Sequence, residues 1–252
     1  MSSPRSLILR APGTNCDEEA VIAWTLAGAL TETKHLNEVL ANPSLLDGYQ
    51  ILTIPGGFSY GDDLGAGRIF ASRLGSSLSD SLLRFRDRGG LILGICNGFQ
   101  VLVRAGLLPG DAPSPATLAR NASGRFESRW VRLLPQSGRT PFLSDDAPIE
   151  LPVAHGEGRF LTEDADALDR DGHVVLKYAD SADAETQAYP ANPNGSSCAA
   201  AGVCDASGRV FGLMPHPERY VDPFHHPRWT RLGAKTEGDG LRIFRNAVDA
   251  LH

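Results

Sequence analysis

Hydrophobic residues in the first 110 positions form short runs that alternate with longer stretches of helical periodicity. Apolar runs of strand length lie at residues 6–9, 50–54 and 91–95, and a further strand is expected near residues 33–36. Apolar residues at helical spacing predict helices over residues 17–30 and 69–86, and a third that continues from residue 97. Short strands that alternate with amphipathic helices are typical of an α/β fold, in which helices cover both faces of a mostly parallel sheet.

The rest of the chain is richer in strands. Further strand-type runs lie at residues 130–134, 149–154, 174–178 and 210–214, with no strong helix expected between the first three. Residues 109–123 are rich in Pro, Ala, Ser and Asp and predict a loop, whereas residues 240–251 predict an amphipathic helix. We therefore expect a single domain over residues 1–252, with a parallel core and an antiparallel extension.

Composition and charge narrow the class of protein. The chain has 252 residues, of which 42% are hydrophobic, and this is enough to bury a substantial core. Its formal net charge of −6 offers no basic surface, so we expect no nucleic-acid partner. The sequence shows neither a secretory signal nor an apolar run of membrane-spanning length. We expect a cytoplasmic protein without a membrane partner.

The cysteine count and the histidine spacing indicate no disulfide framework and no metal site. The four cysteines, at positions 16, 96, 198 and 204, are too few for a disulfide scaffold in a chain of this size. Cys198 and Cys204 lack a second pair at zinc-site spacing, and His225 and His226 have no carboxylate cluster beside them. We interpret Cys16 as a structural residue of a turn.

The acidic pair Asp62 and Asp63 lies in a glycine-containing loop. We interpret this pair as part of a solvated loop and not as a magnesium site.

The most informative local feature is Cys96, which lies where an apolar strand becomes a helix. Gly94 and Gly98 flank it, and they remove the Cβ atoms that would clash in a tight strand-to-helix turn. The unpaired N–H groups at the start of that helix favour a thiolate. These features indicate a nucleophile, although a cysteine in an apolar segment is in general more often an inert buried thiol.

Two other loops follow predicted strands and carry the groups that a nucleophile needs. Residues 55–62 form a glycine-rich loop whose backbone N–H groups suit an oxyanion, and they lack the lysine of a nucleotide loop. In residues 214–219, His216 lies between two prolines and Glu218 follows it, as in a base with its orienting carboxylate. His155 also follows a predicted strand, and its spacing leaves it open as an alternative base.

Five separated motifs in matching order resemble the class I (triad-type) glutamine amidotransferases, and within that class the glutaminase subunits of phosphoribosylformylglycinamidine synthases. These motifs are residues 12–17 (PGTNCD), 55–62 (PGGFSYGD), 94–100 (GICNGFQ), 153–158 (VAHGEG) and 214–219 (MPHPER). The resemblance runs from about residue 6 to residue 250 and implies a flavodoxin-like fold.

The resemblance also implies a role for each matching residue. Cys96 would attack the side-chain amide of glutamine and form a glutamyl thioester, with His216 as general base and then acid, and with Glu218 orienting it. Backbone N–H groups of Gly57 and Asn97 would form the oxyanion hole. Gln100 and Phe126 would contact the substrate.

The resemblance also implies partners, because the ammonia released from glutamine is used by another subunit. The family passes ammonia to an ATP-dependent, PurL-like synthetase subunit that aminates formylglycinamide ribonucleotide in purine biosynthesis. ATP and magnesium are then expected on that partner, and no cofactor is expected on this chain. The sequence leaves open whether a small PurS-like subunit bridges the two.

The chain departs from the family pattern at residues 63–68, 111–117 and 220–231, and we expect the segment 225–229 to dock on the partner. Two other functions stay open. One is a catalytically silent scaffolding subunit on the same fold, and the other is a cysteine hydrolase similar to the DJ-1/PfpI group. The latter commonly has a histidine directly after its cysteine, where this chain has Asn97.

Overall fold

The computed structural model describes residues 3–112, 114–233 and 235–252. Pro113, in the predicted loop 109–123, lies outside the described residues. The strands are β1 Arg5–Arg10, β2 Leu30–His35, β3 Ile51–Ile54, β4 Leu91–Ile95, β5 Ala116–Ala119, β6 Glu127–Pro135, β7 Ile149–His155, β8 Arg159–Thr162, β9 Val174–Ala179, β10 Ala200–Cys204 and β11 Val210–Leu213. The α-helices are α1 Asp17–Leu26, α2 Leu36–Ala41, α3 Arg68–Asp87, α4 Asn97–Arg104, α5 Ala165–Arg170, α6 Trp229–Leu232 and α7 Leu241–Asp249.

Nine of these strands form one sheet, in the order β2-β1-β3-β4-β11-β10-β9-β6-β7. The first five are parallel to their neighbours, and the pairs from β11 to β7 are antiparallel. The strands β3, β4 and β11 are buried along their whole length, as expected where helices cover both faces. The predicted α/β class with an antiparallel extension is therefore confirmed.

The helices divide between the two faces as right-handed crossovers require. The connection β1-α1-β2 moves one way along the sheet, whereas β3-α3-β4 moves the other way, so α1 and α3 cover opposite faces. The observed packing agrees, because α1 contacts α7, while α3 contacts α2 and α4. Because the strand order reverses between β1 and β3, the loops after these two strands open a crevice at the carboxyl edge.

The structure differs from the sequence expectations in its short elements. Residues 116–119 of the predicted loop form β5, which pairs with β8 in a separate two-stranded sheet. Helix α5 lies in a region where no strong helix is expected, and its six residues are too few for a helical period to stand out. Helix α1 ends at Leu26 and not near residue 30, because Gly28 turns the chain with φ of +99° into β2.

The elbow glycines allow helix α4 to pack against the sheet. A Cβ atom on Gly98 would lie 1.8 Å from the carbonyl oxygen of Ile54, at the end of β3. A Cβ atom on Gly94 would lie 2.8 Å from the carbonyl oxygen of Gly98. Both obstacles are backbone atoms and cannot rotate away, so the close approach of α4 to the sheet requires glycine at both positions.

Gly98→Ala is therefore expected to destabilise the fold by about 3 kcal/mol or more, because α4 must move away from β3. Gly75→Ala is the matched control, since Gly75 lies within α3 and its new Cβ would meet no atom within 4 Å. We expect the control to gain about 0.5–1 kcal/mol from helix propensity. Urea unfolding of both variants measures the difference, and equal stabilities would contradict the packing argument.

Among the described residues, no helix is both long enough and apolar enough to cross a membrane.

Candidate active site

Four loops meet at the carboxyl edge of the parallel strands. The loops after β1 and β3 are joined by an isolated bridge between Thr14 and Gly57. The loops after β4 and β11 are joined because the backbone N–H of Cys96 donates to the carbonyl of Leu213 at 2.8 Å. His216 follows three residues later, so the parallel pairing of β4 with β11 brings the predicted nucleophile and base to one edge.

Cys96 occupies a strained elbow between β4 and α4. Its φ of 50° and ψ of −103° are unusual for a residue with a Cβ atom, and such strain is concentrated at functional sites. The side chain is 5% exposed, and its sulfur lies 3.8 Å from the carbonyl oxygen of Ala154 in β7. Cys96 is also the N-cap of α4, and so stands at the helix end whose first N–H groups have no partner within the helix.

His216 and Glu218 form a buried pair directly after β11. His216 Nδ1 lies 2.6 Å from Glu218 Oε1. Burial acts to lower the pKa of His216, but the carboxylate of Glu218 and the sulfurs of Cys96 and Cys16 raise it well above its ordinary value. The other ring nitrogen, Nε2, is buried and has no hydrogen-bond partner within the described part of the chain. It is therefore free to exchange a proton with a thiol.

Cys96 and His216 line the same cavity, which has a volume of about 150 Å³. A second cavity of about 210 Å³ shares Cys96 with the first, and it extends towards Gln100 and Glu157. The nucleophile thus lies between two small spaces, one next to the base and one next to the residues expected to hold a substrate.

The alternative base, His155, has a different environment. Its Nδ1 lies 3.1 Å from Asn121 Oδ1, whose amide nitrogen donates to the carbonyls of Arg125 and His155. The oxygen of Asn121 therefore faces the ring, so Nδ1 of His155 carries the proton. Burial lowers the pKa of His155 to about 3. Because this ring stays neutral and its Nδ1 contacts the amide of Asn121 instead of a carboxylate, the geometry favours His216 as the base.

The predicted oxyanion and substrate residues also come together here. Gly57, Gln100 and Phe126 line the larger cavity with Cys96, and Phe126 is 55% exposed at its mouth. Asn97 is the first residue of α4, where a backbone N–H has no partner within the helix. Its side chain donates to Gln100 Oε1 at 3.0 Å. The geometry agrees with the roles implied for these residues, which stay predictions.

Asp62 does not fit the sequence interpretation of a solvated loop. It is half-buried, lines the larger cavity and accepts hydrogen bonds from the side chain of Asn97 and the backbone of Gly67. Burial raises its pKa, against the effect of these hydrogen bonds. Asp62 lies in the same loop as Gly57, directly after a strand, and this position is the sequence signal that places it among the site residues.

Three further residues of the site are not predicted as functional from the sequence. Glu157 lines the larger cavity, and Cys16 and Arg219 line the smaller one beside His216. The sequence predicts a structural role for Cys16, yet its sulfur is one of the groups that raise the pKa of His216. The motifs that contain Cys16 and Arg219 pointed to this region, but local spacing does not show that two distant loops meet.

The described residues contain one group whose ligand atoms are close enough for a metal ion, namely Cys16, His216 and Glu218, within 4.8 Å of one another. The cationic guanidinium of Arg219 donates to Cys16 Sγ at 3.0 Å, and Glu218 already accepts from the imidazole. Both contacts oppose a bound cation.

His226 has a structural environment. It is 2% exposed, lies 2.9 Å from a carboxylate oxygen of Glu150 and packs against Trp130. His225, its neighbour, is exposed.

Comparison with known proteins decides the family. A sequence profile of the CobB/CobQ-like glutamine amidotransferase domain matches residues 3–249. The PurQ subunit of phosphoribosylformylglycinamidine synthase from Dehalococcoides mccartyi is 50% identical over 251 residues, covering 98% of this chain and 98% of that protein. The chain belongs to the PurQ family of glutamine amidotransferases.

Other members of the PurQ family agree over the whole length. The PurQ subunit from Methanococcus maripaludis is 39% identical over 263 residues, covering 98% of this chain and 97% of that protein. A chain in the structure of PurLQS from Thermotoga maritima is 34% identical, with a TM-score of 0.77 over 99% of this chain and 100% of that chain. The amidotransferase interpretation is therefore confirmed, in preference to a DJ-1/PfpI-like hydrolase.

Proposed function

We propose that this chain hydrolyses glutamine through a thioester on Cys96 and supplies the ammonia to a PurL-type synthetase subunit. Membership in the PurQ family makes the chain the glutaminase subunit of phosphoribosylformylglycinamidine synthase. The observation that carries the assignment of residues is the buried His216–Glu218 pair, which shares a cavity with the strained Cys96 elbow.

The reaction follows from this arrangement in two steps. His216 Nε2 takes the proton of the Cys96 thiol, and the sulfur attacks the carboxamide carbon of glutamine. The C–N bond then breaks, and the imidazolium protonates the nitrogen, which leaves as ammonia. In the second step His216 takes a proton from water, and the resulting hydroxide attacks the thioester. The C–S bond then breaks to release glutamate, and the imidazolium returns its proton to the Cys96 sulfur.

Each remaining group at the site has a part in these steps. Glu218 holds the proton on Nδ1 and stabilises the imidazolium that forms in both steps. The backbone N–H groups of Gly57 and Asn97 would stabilise the oxyanion of each tetrahedral intermediate. In the larger cavity, the carboxylates of Asp62 and Glu157 suit the α-ammonium group of glutamine, while Gln100 and Phe126 bound its side chain.

A synthetase partner is supported by the nature of the product and by the related PurLQS structure. Free ammonia is lost to protonation in water, so a second subunit must take it up directly. We place ATP and magnesium on that partner and keep a PurS-like bridging subunit as part of the proposal. We also propose the cytoplasm as the location, because it keeps the nucleophilic thiol reduced.

Covalent labelling tests the assignment of Cys96. A diazoketone analogue of glutamine, added to the assembled complex, should form one adduct on the peptide that contains Cys96, and excess glutamine should prevent it. Cys204→Ala is the matched control, since Cys204 is a buried thiol in β10 that lines neither cavity, and it should label like the wild type. No adduct at Cys96 would favour a catalytically silent subunit.

A further inference from the structure

A second thiol lies beside the catalytic imidazole. Cys16 is the N-cap of α1 and is 1% exposed. Ligand atoms of Cys16, His216 and Glu218 all lie within 4.8 Å of one another, and Cys16 shares the smaller cavity with Cys96. The two-step reaction uses the sulfur of Cys96 alone, so it leaves this second buried sulfur without a task.

Contacts on several sides fix the Cys16 sulfur. The thiol donates to Asn15 Oδ1 at 3.2 Å, and the sulfur accepts from Arg219 Nη2 at 3.0 Å. The backbone N–H of Cys16 donates to the carbonyl of Gly56 at 3.3 Å. Arg219 is itself held by an ion pair of 3.5 Å with Glu19. The sulfur therefore has a defined position that two loops and a helix end determine together.

Gly56 shows that this sulfur and the imidazole pack against one wall. A Cβ atom on Gly56 would lie 2.8 Å from His216 Cε1 and 3.2 Å from Cys16 Sγ. The edge of the His216 ring and the Cys16 sulfur thus both lie against Gly56, and a side chain at position 56 would collide with them. Glu218 holds the ring at Nδ1, and Gly56 and the Cys16 sulfur lie beside the ring, so these three neighbours limit how far the ring, and with it Nε2, can turn.

Most of the groups around the His216 ring favour its protonated form. Glu218 carries the negative charge at Nδ1, and the sulfurs of Cys96 and Cys16 also favour the protonated ring. Arg219 carries a positive charge, and its guanidinium donates a hydrogen bond to the Cys16 sulfur. His155, the remaining titratable neighbour, stays neutral because burial lowers its pKa to about 3. Cys16 is thus placed to stabilise an imidazolium.

We propose that Cys16 is a positioning residue for His216, and that Arg219 and Asn15 hold its sulfur where it keeps Nε2 directed at Cys96. This role rests on the proposed function of His216 as proton carrier. The imidazolium forms in both steps of the reaction, so Cys16 would act on kcat. Cys16 lines the smaller cavity and is absent from the described residues around the larger one, so the KM for glutamine should change little.

Kinetics of the assembled complex test this role. Cys16→Ala is expected to lower kcat for glutamine hydrolysis on the order of tenfold, with KM within about twofold, because one hydrogen-bonding group beside a charge is lost. The acid limb of the kcat profile, where protonation of His216 removes the base, should move to lower pH, since the imidazolium loses a stabilising neighbour. Cys16→Ser keeps a polar atom at the position and should recover part of both effects.

Cys204→Ala, a second buried Cys→Ala change, should leave kcat and the acid limb as in the wild type. An unchanged pH profile in Cys16→Ala overturns the proposal, as does an equal fall in kcat for Cys16→Ala and Cys16→Ser without any shift of the limb. If Cys16→Ala does not fold, Cys16→Ser alone should still shift the limb. These outcomes are distinct from a failure of the proposed glutaminase function, in which the wild type would neither label at Cys96 nor hydrolyse glutamine.

Discussion

Replacing Cys96 by alanine is expected to abolish glutamine-dependent synthesis by the assembled complex, while ammonia-dependent synthesis continues at the wild-type rate. The variant lacks the sulfur that attacks the carboxamide, and water held in the cavity is a far weaker nucleophile. We expect glutamine use to fall by a factor on the order of 10⁵ or more. The measurement compares formation of the aminated nucleotide with glutamine and with ammonium chloride at the same pH.

The ammonia-dependent reaction is the internal control, because it reports on folding and assembly without the glutaminase step. Alanine at position 96 removes one buried sulfur from a site that is 5% exposed, so assembly should survive. Glutamine use close to that of the wild type would show that Cys96 is not the nucleophile. Loss of both activities would point to failed assembly, which size-exclusion chromatography of the complex detects.

Replacing Glu218 by glutamine should lower kcat/KM for glutamine by roughly 10²- to 10⁴-fold, because the imidazole loses the carboxylate that orients it and stabilises its charge. Glu218 raises the pKa of His216, so its removal lowers that pKa. The imidazolium form is present below the folded pKa and is lost as pH rises through it. Because His216 accepts a proton at the start of each step, activity requires the neutral ring, and the acid limb of the kcat/KM profile moves to lower pH in the variant. Glutamate release between about pH 6 and pH 10 measures the shift.

Glu163→Gln is the control for a change of charge alone, since Glu163 is exposed and lies outside both cavities around Cys96. It removes the same unit of charge and should leave the profile unchanged. An acid limb at the wild-type position in Glu218→Gln would mean that the carboxylate does not act on the catalytic base.

The parallel core was predictable because its strands are buried on both faces. Strands such as β4 and β11 are continuous apolar runs, and each ends at a glycine- or proline-containing loop. Since the carboxyl ends of parallel strands share an edge, locating Cys96 and His216 after two such runs was enough to expect them together. The site could thus be outlined from local pattern and a rule of topology.

The parts that could not be predicted depend on contacts between distant segments. Strand β10 has the sequence AAGVC, whose small residues carry little strand signal, and it forms only because β9 and β11 flank it. The contact between Cys16 and Arg219 joins positions 203 residues apart, and no periodicity records such a distance. Asp62 appears solvated in sequence because burial of a polar side chain depends on what folds over it.

Strand β7 is the last strand in the sheet order, yet its backbone contacts both halves of the catalytic pair. The carbonyl of Pro152 accepts from the backbone N–H of His216 at 2.8 Å, and the carbonyl of Ala154 lies 3.8 Å from the Cys96 sulfur. The geometry of the nucleophile and base therefore depends on β7, a strand at the end of the sheet order. A change that loosens this edge strand disturbs both members of the catalytic pair at once, although it lies outside the parallel core of the sheet.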